Sequence, residues 1–111
     1  MQPKFEVIFL EQAIDFMETL DLKTKKKIYY NIDKARIEND PRLFKKLTDD
    51  IWEFRTRYKG IQYRLFAFWD RTSRKATLVV STHGIIKKVD KVPKADIEKA
   101  RKIRDNYFNS I

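Results

Sequence analysis

The sequence predicts an α+β domain. Its small, mainly antiparallel sheet combines an N-terminal strand with a three-stranded meander, flanked by two N-terminal helices and a C-terminal helix. Three observations predict it. Apolar residues recur at helical spacing between Glu11 and Glu38, the period drops to two from Ile51, and a further helical stripe follows Pro93.

The extended apolar run from Pro3 to Leu10 predicts the first strand. In Glu11 to Leu20, the residues Ala13, Phe16, Met17 and Leu20 form one helical stripe. Asp21 interrupts that stripe and suits the N-cap of a second helix reaching about Glu38. Ile28, Ile32 and Ala35 face inward there, while Lys23, Lys25, Lys26, Lys27 and Lys34 occupy the outer face. Asn39-Asp40-Pro41 ends it, because proline disfavours helical geometry in the residue before it. Asp40 then suits an N-cap, with Pro41 in the first turn of a short helix holding Leu43, Phe44 and Leu47.

From Ile51 onward, Trp52, Phe54, Thr56 and Tyr58 alternate with Glu53, Arg55 and Arg57. Lys59-Gly60 is expected to be a tight turn, since glycine takes positive φ without strain. A second strand covers Ile61 to Trp69, a loop Arg71 to Arg74, and a third strand Lys75 to His83. Pro93 opens the last helix, with Ile97, Ala100, Ile103 and Tyr107 on one face. No repeat or linker interrupts this order, so residues 1–111 are expected to form a single domain.

A two-residue turn pairs Tyr58 with Ile61, Arg57 with Gln62, Arg55 with Arg64 and Glu53 with Phe66, and cross-strand partners share a face. Trp52, Phe54, Tyr58, Ile61, Tyr63 and Leu65 then make an apolar face for the helices. Glu53, Arg55, Arg57, Gln62 and Arg64 make a basic face on the other side. Phe66 and Phe68 fall on the basic side, either to stack on bases or, the better expectation, to pack beneath the last helix. A four-residue loop after Asp70 pairs Asp70 with Lys75, Arg64 with Ser81 and Gln62 with His83, bringing the sole histidine to the arginines. A one-residue slip sends it to the core side. Arginines directly opposite each other repel. An anion between them removes the conflict, and guanidinium forks match phosphate oxygens. Glu53 can relieve it diagonally instead. Lys87, Lys88 and Lys91 follow the strand end, beside the arginines or simply solvated.

Composition points the same way. Lys and Arg total 25 against 16 Asp and Glu, a formal net charge of +9. Such a surface attracts polyanions, because neutralising phosphates releases their counterions. Hydrophobic residues at 42% argue against a disordered chain. Cysteine is absent, which removes disulfides, thiolate nucleophiles and cysteine zinc sites. No His and carboxylate cluster has ligand spacing, so no metal or other cofactor is expected. No secretory or membrane-spanning run is legible, so the expected location is the cytoplasm, with no membrane partner.

Leu43 to Leu47, Trp52-Glu53-Phe54-Arg55, Tyr63-Arg64, His83-Gly84-Ile85-Ile86-Lys87-Lys88, and then Pro93, Ile97 and Ala100 form an ordered set. Together they resemble the RelE/ParE toxin superfamily, and within it the phage-derived HigB-like toxins of type II toxin–antitoxin systems. The resemblance spans about Phe5 to Tyr107. Phe54 stands where the family has leucine, and Ile85 where it has phenylalanine; the second departure removes an aromatic stacking surface.

The resemblance implies a RelE-like fold and cofactor-free, metal-independent cleavage of mRNA, commonly in the ribosomal A site, by attack of the RNA's own 2′-hydroxyl. It implies ribosome and mRNA as partners, and a cognate antitoxin, expected to be of helix-turn-helix type. Carried over by position, Arg55 and Arg64 hold the scissile phosphate, and Lys87 and Lys88 add charge. His83 is the candidate for proton transfer, and Glu53 orients Arg55 or joins the acid–base chemistry. Arg57, Lys59, Gln62 and Lys91 are flanking candidates for RNA contact. Two other classes stay open: a ParE-like inhibitor of DNA gyrase, and a non-catalytic module that binds RNA or the ribosome.

Overall fold

The computed structural model describes residues 2–72 and 77–110. Among them five strands and three helices follow in the order β1 (Glu6–Phe9), α1 (Glu11–Glu18), α2 (Leu22–Ile37), β2 (Phe44–Lys46), β3 (Trp52–Tyr58), β4 (Ile61–Asp70), β5 (Leu78–Lys87) and α3 (Lys94–Asn109). The strands form one mixed sheet of order β1-β5-β4-β3-β2. β1 runs parallel to β5, and every other pairing is antiparallel. This is the α+β class that the sequence predicts, and it is compatible with a RelE-like fold.

Two apolar layers hold the sheet. On one face, Ala13 and Met17 of α1 and Ile28, Ile32 and Ala35 of α2 pack against Phe5, Phe44, Phe54, Tyr63, Leu65 and Val79. Asp21 starts α2 by accepting the Thr24 N–H at 2.8 Å, the capping geometry expected from its position. On the other face, Ala100 of α3 closes over Ile51, Phe66, Phe68 and Val80, with Ile97, Tyr107 and Phe108 alongside. Phe66 and Phe68 are fully buried there, each contributing roughly 2–3 kcal/mol through loss of water contact. The Lys59-Gly60 turn has φ of 51° and 78°, so both central residues are left-handed, as this hairpin type requires.

Two local expectations are corrected. The short helix after Pro41 is absent, and β2 stands in its place. The Asp40 carboxylate accepts the Arg42 N–H at 2.9 Å, and its carbonyl accepts the N–H groups of Leu43 and Phe44. One turn is therefore made and then abandoned. Phe44 next pairs opposite Phe54, their rings stacked with centroids 4.3 Å apart. Burial of Phe44 in a five-ring aromatic cluster outweighs the local helical preference.

The third strand of the meander is also displaced. Its predicted start, Lys75, and the end of the predicted loop at Ser73 and Arg74 lie outside the described residues. Asp70 pairs with Leu78, Arg64 with Ile85 and Gln62 with Lys87, in place of Lys75, Ser81 and His83. Between Leu65 and Ala67 the register shifts, so that Thr82 and His83 together oppose Phe66. The Ser81 hydroxyl donates to the Phe66 carbonyl at 3.0 Å, and the Thr82 hydroxyl does so at 3.4 Å, which ties the bulge down.

Candidate functional site

α3 covers only part of its sheet face. On the uncovered part, β3 brings Glu53, Arg55 and Arg57 beside Gln62 and Arg64 of β4, with Arg55 opposite Arg64 and Arg57 opposite Gln62. A hollow of about 410 Å³ opens there, lined by Arg42, Arg55, Thr56, Arg57, Gln62 and Arg64. A second hollow, of about 360 Å³, shares Arg55 and is lined by Lys45, Leu47, Glu53, Lys87, Asp90, Lys91, Val92 and Ile97. Seven of the predicted site residues thus line one hollow or the other.

Lys88 is exposed just past β5 and lines neither hollow. Lys59 lines neither as well, its ammonium lying 5.3 Å from the centre of the Tyr58 ring. Arg42 lines the first hollow and Lys45 the second, although sequence reasoning passed them over. The short edge strand that carries Lys45, and the turn that projects Arg42, were hidden by the expectation of a helix.

Glu53 is buried between the two arginines. Its carboxylate lies 3.3 Å from Nε of Arg64 and 3.5 Å from Nε of Arg55. Neither approach has hydrogen-bond geometry, and both Nε atoms and Glu53 Oε1 lack a hydrogen-bond partner among the described residues. The attraction is therefore electrostatic. Burial pushes the Glu53 carboxyl up, against the opposing pull of Arg64, Arg55, Lys87 and Lys45. Burial also lowers Arg64, with Glu53 opposing.

The four arginines differ in freedom. Arg64 is buried, and its outer nitrogens donate to the Tyr63 carbonyl at 3.1 Å and to Gln62 Oε1 at 2.7 Å. Gln62 accepts through its oxygen, which leaves its amide NH2 free to donate. Arg55 is partly exposed and donates weakly to the Pro41 carbonyl at 3.4 Å. Arg57 is exposed. Arg42 is exposed too, but Asp40 grips its guanidinium at 3.0 Å.

His83 lies on the arginine side of the sheet, yet beneath α3. It is 2% exposed, stacks on Phe66 with ring centroids 4.8 Å apart, and lines neither hollow. Nδ1 is 3.0 Å from the Thr82 hydroxyl, and Nε2 is 3.2 Å from the Asp96 carboxylate on α3. Burial lowers its pKa below the ordinary histidine value, with Asp96 offsetting this in part. The ring is therefore neutral at pH 7, and it ties β5 to the start of α3. Among the described residues, no three His, Cys, Asp or Glu side chains gather to hold a metal ion. No described helix is long and apolar enough to cross a membrane.

No curated protein matches the chain. The sequence pattern described as "Phage derived protein Gp49-like (DUF891)" matches residues 15–105. That span runs from α1 into α3 and contains every residue lining the two basic hollows. The family is one of RelE-like toxins of toxin–antitoxin systems, so an antitoxin partner comes with it. With most of its sheet and helices inside that match, the chain belongs to the phage-derived Gp49-like family of RelE-like toxins.

Proposed function

We propose that the chain is the toxin of a toxin–antitoxin pair, that it cleaves mRNA on the ribosome in the manner of HigB-like toxins, and that it uses no metal. The observation that carries this reading is the arginine-lined hollow, where four guanidiniums and no carboxylate line one concave surface.

In this reading Arg55 and Arg57 grip the phosphate, Gln62 donates its amide to a phosphate oxygen, and Arg64 holds Gln62 from below. The RNA's 2′-hydroxyl attacks the adjacent phosphorus and the bond to the 5′-oxygen breaks. This leaves a 2′,3′-cyclic phosphate and a 5′-hydroxyl. Glu53, whose carboxyl is raised by burial, accepts the 2′-hydroxyl proton, and Lys87 gives a proton to the leaving oxygen. His83, sealed under α3, takes no part in the transfer. Each well-placed cation is worth about 3 kcal/mol of transition-state stabilisation. Because the nucleophile is the 2′-hydroxyl, DNA is not a substrate. Lys23, Lys26 and Lys34 on the exposed face of α2 supply a second basic surface for ribosomal RNA.

The test is primer-extension mapping of mRNA ends after brief induction, with wild type beside Arg55→Ala and Arg64→Ala. New ends in the wild type that vanish in Arg55→Ala are the expected result. Unchanged ends and toxicity in both variants would remove the site assignment. One observation favours a second reading, an RNA-binding toxin that blocks without cutting: Glu53 already neutralises part of the arginine charge, and Arg64 is buried. Ribosome association with no new mRNA ends selects that reading.

A further inference from the structure

The two hollows that meet at Arg55 differ in chemistry. The first offers guanidiniums, Thr56 and Gln62, all suited to phosphate oxygens. The second has an aliphatic floor of Leu47, Val92 and Ile97, each half-buried and continuous with the core under α3. Lys45, Lys87 and Lys91 rim it, and the carboxylates of Glu53 and Asp90 also line it. A phosphate seated there meets two like charges. A nucleobase does not, because its faces are apolar and its edge carries hydrogen-bond donors.

We infer that the protein holds two consecutive nucleotides of one RNA strand astride Arg55, the phosphate among the arginines and the preceding base on the aliphatic floor, and that it prefers adenine or cytosine there. This deepens the RNA reading and rests on it. Arg55 lines both hollows, so the sugar–phosphate link crosses it. The 2′-hydroxyl of the nucleotide on the floor then lies on the Glu53 side, where the proposed proton acceptor sits. Asp90 is exposed at the rim and accepts from the amino group of adenine or cytosine. Uracil and guanine present carbonyl oxygen at the corresponding edge and gain no such bond, though uracil still rests its face on the aliphatic floor. An acidic antitoxin peptide is the competing occupant. It fits less well, because its carboxylates would face Asp90 and Glu53 while the carboxylate-free hollow lies next door.

The probe is a fluorescent 2′-O-methyl heptauridylate, which binds without being cut. An abasic residue, adenine or cytosine replaces uracil at each position in turn, and affinity is read by anisotropy. Base removal at one position is expected to weaken binding about tenfold. Adenine or cytosine at that position is expected to tighten it about tenfold. Asp90→Asn narrows the preference, and Val92→Ser lowers base-bearing RNA towards the abasic level; thermal melts confirm that both variants are folded. A flat abasic scan with RNA binding intact overturns the base subsite and leaves the RNA reading standing. Absence of both RNA binding and cleavage removes the RNA reading itself. Protection of residues 90–97 from hydrogen exchange by the antitoxin, together with a flat scan, assigns the hollow to the antitoxin and overturns the inference.

Discussion

Arg55 and Arg64 face each other across a ladder, and Glu53 is the counterion that makes this tolerable. Removing one member of a buried charge cluster strands the others without water, which costs about 3–5 kcal/mol. Glu53→Ala is therefore expected to lower urea stability by about that amount, whereas the paired change Glu53→Leu with Arg64→Met recovers most of the loss. Equal losses in the single and paired variants would show that packing, not charge, is the cause. Lys59 poses a smaller problem at the hairpin, since its φ of 51° is unfavourable for a side chain with a Cβ. Lys59→Asn is expected to raise stability by about 0.5–1 kcal/mol in the same assay; a loss instead would mean that the lysine contributes more than its backbone strain removes. At this scale the arginine pairing was legible, because turn length alone sets which residues oppose. Asp40 was not, because an Asp-Pro pair opens a helix or a turn equally well. Phe44, by packing against Phe5, Trp52 and Phe54, decides the outcome from a distance.

β5 shows what a periodic pattern leaves out. Alternation along the strand cannot reveal a bulge, whose determinant is a partner across the sheet: here the Phe66 carbonyl that collects the Ser81 and Thr82 hydroxyls. Pairing of Asp70 with Leu78 instead of Lys75 moves the register by three residues and the bulge adds a fourth, which is how Lys87, not His83, comes to lie opposite Gln62. The same strand presses against α1 at Gly84. A methyl group built there would run into the ring of Phe16. Gly84→Ala is expected to destabilise the fold by about 1–3 kcal/mol, and Phe16→Leu in the same chain to relieve part of that loss. Independent, additive effects in a double-mutant cycle would contradict the contact. The motif containing Gly84 was visible in the sequence, but the reason for its glycine was not, because it comes from another element.

For the molecule as a whole, the buried groups set a pH response. An unfolded histidine takes up its proton near pH 6.5, while His83, held below that value between Phe66, Thr82, Asp96 and the nearby Lys99, resists. The unfolded state then binds more protons, so stability falls as pH drops through about 6.5. Asp50 and Asp70, both lowered by hydrogen bonds, add a further loss as pH falls below the ordinary carboxylate range. Glu53 acts in the opposite direction, since the folded state takes its proton first. Thermal melts between pH 7.5 and 5.5 should therefore show a falling midpoint in the wild type and a flatter profile in His83→Gln. Parallel declines in both proteins would clear His83 of the effect. Fold class and layer order were legible at this scale from periodicity alone. The division of the basic face into two hollows was not, because it depends on how far α3 reaches across the sheet.

Among the described residues, β1 has no neighbour except β5, and β5 occupies the position between β1 and β4. During synthesis the opening strand must therefore wait, unpaired, until Leu78–Lys87 has emerged and supplied the seam. Until then the chain has neither a closed sheet nor the second basic hollow, whose lining includes Lys87, Asp90, Lys91, Val92 and Ile97. That delay gives an antitoxin time to be present before the toxin matures.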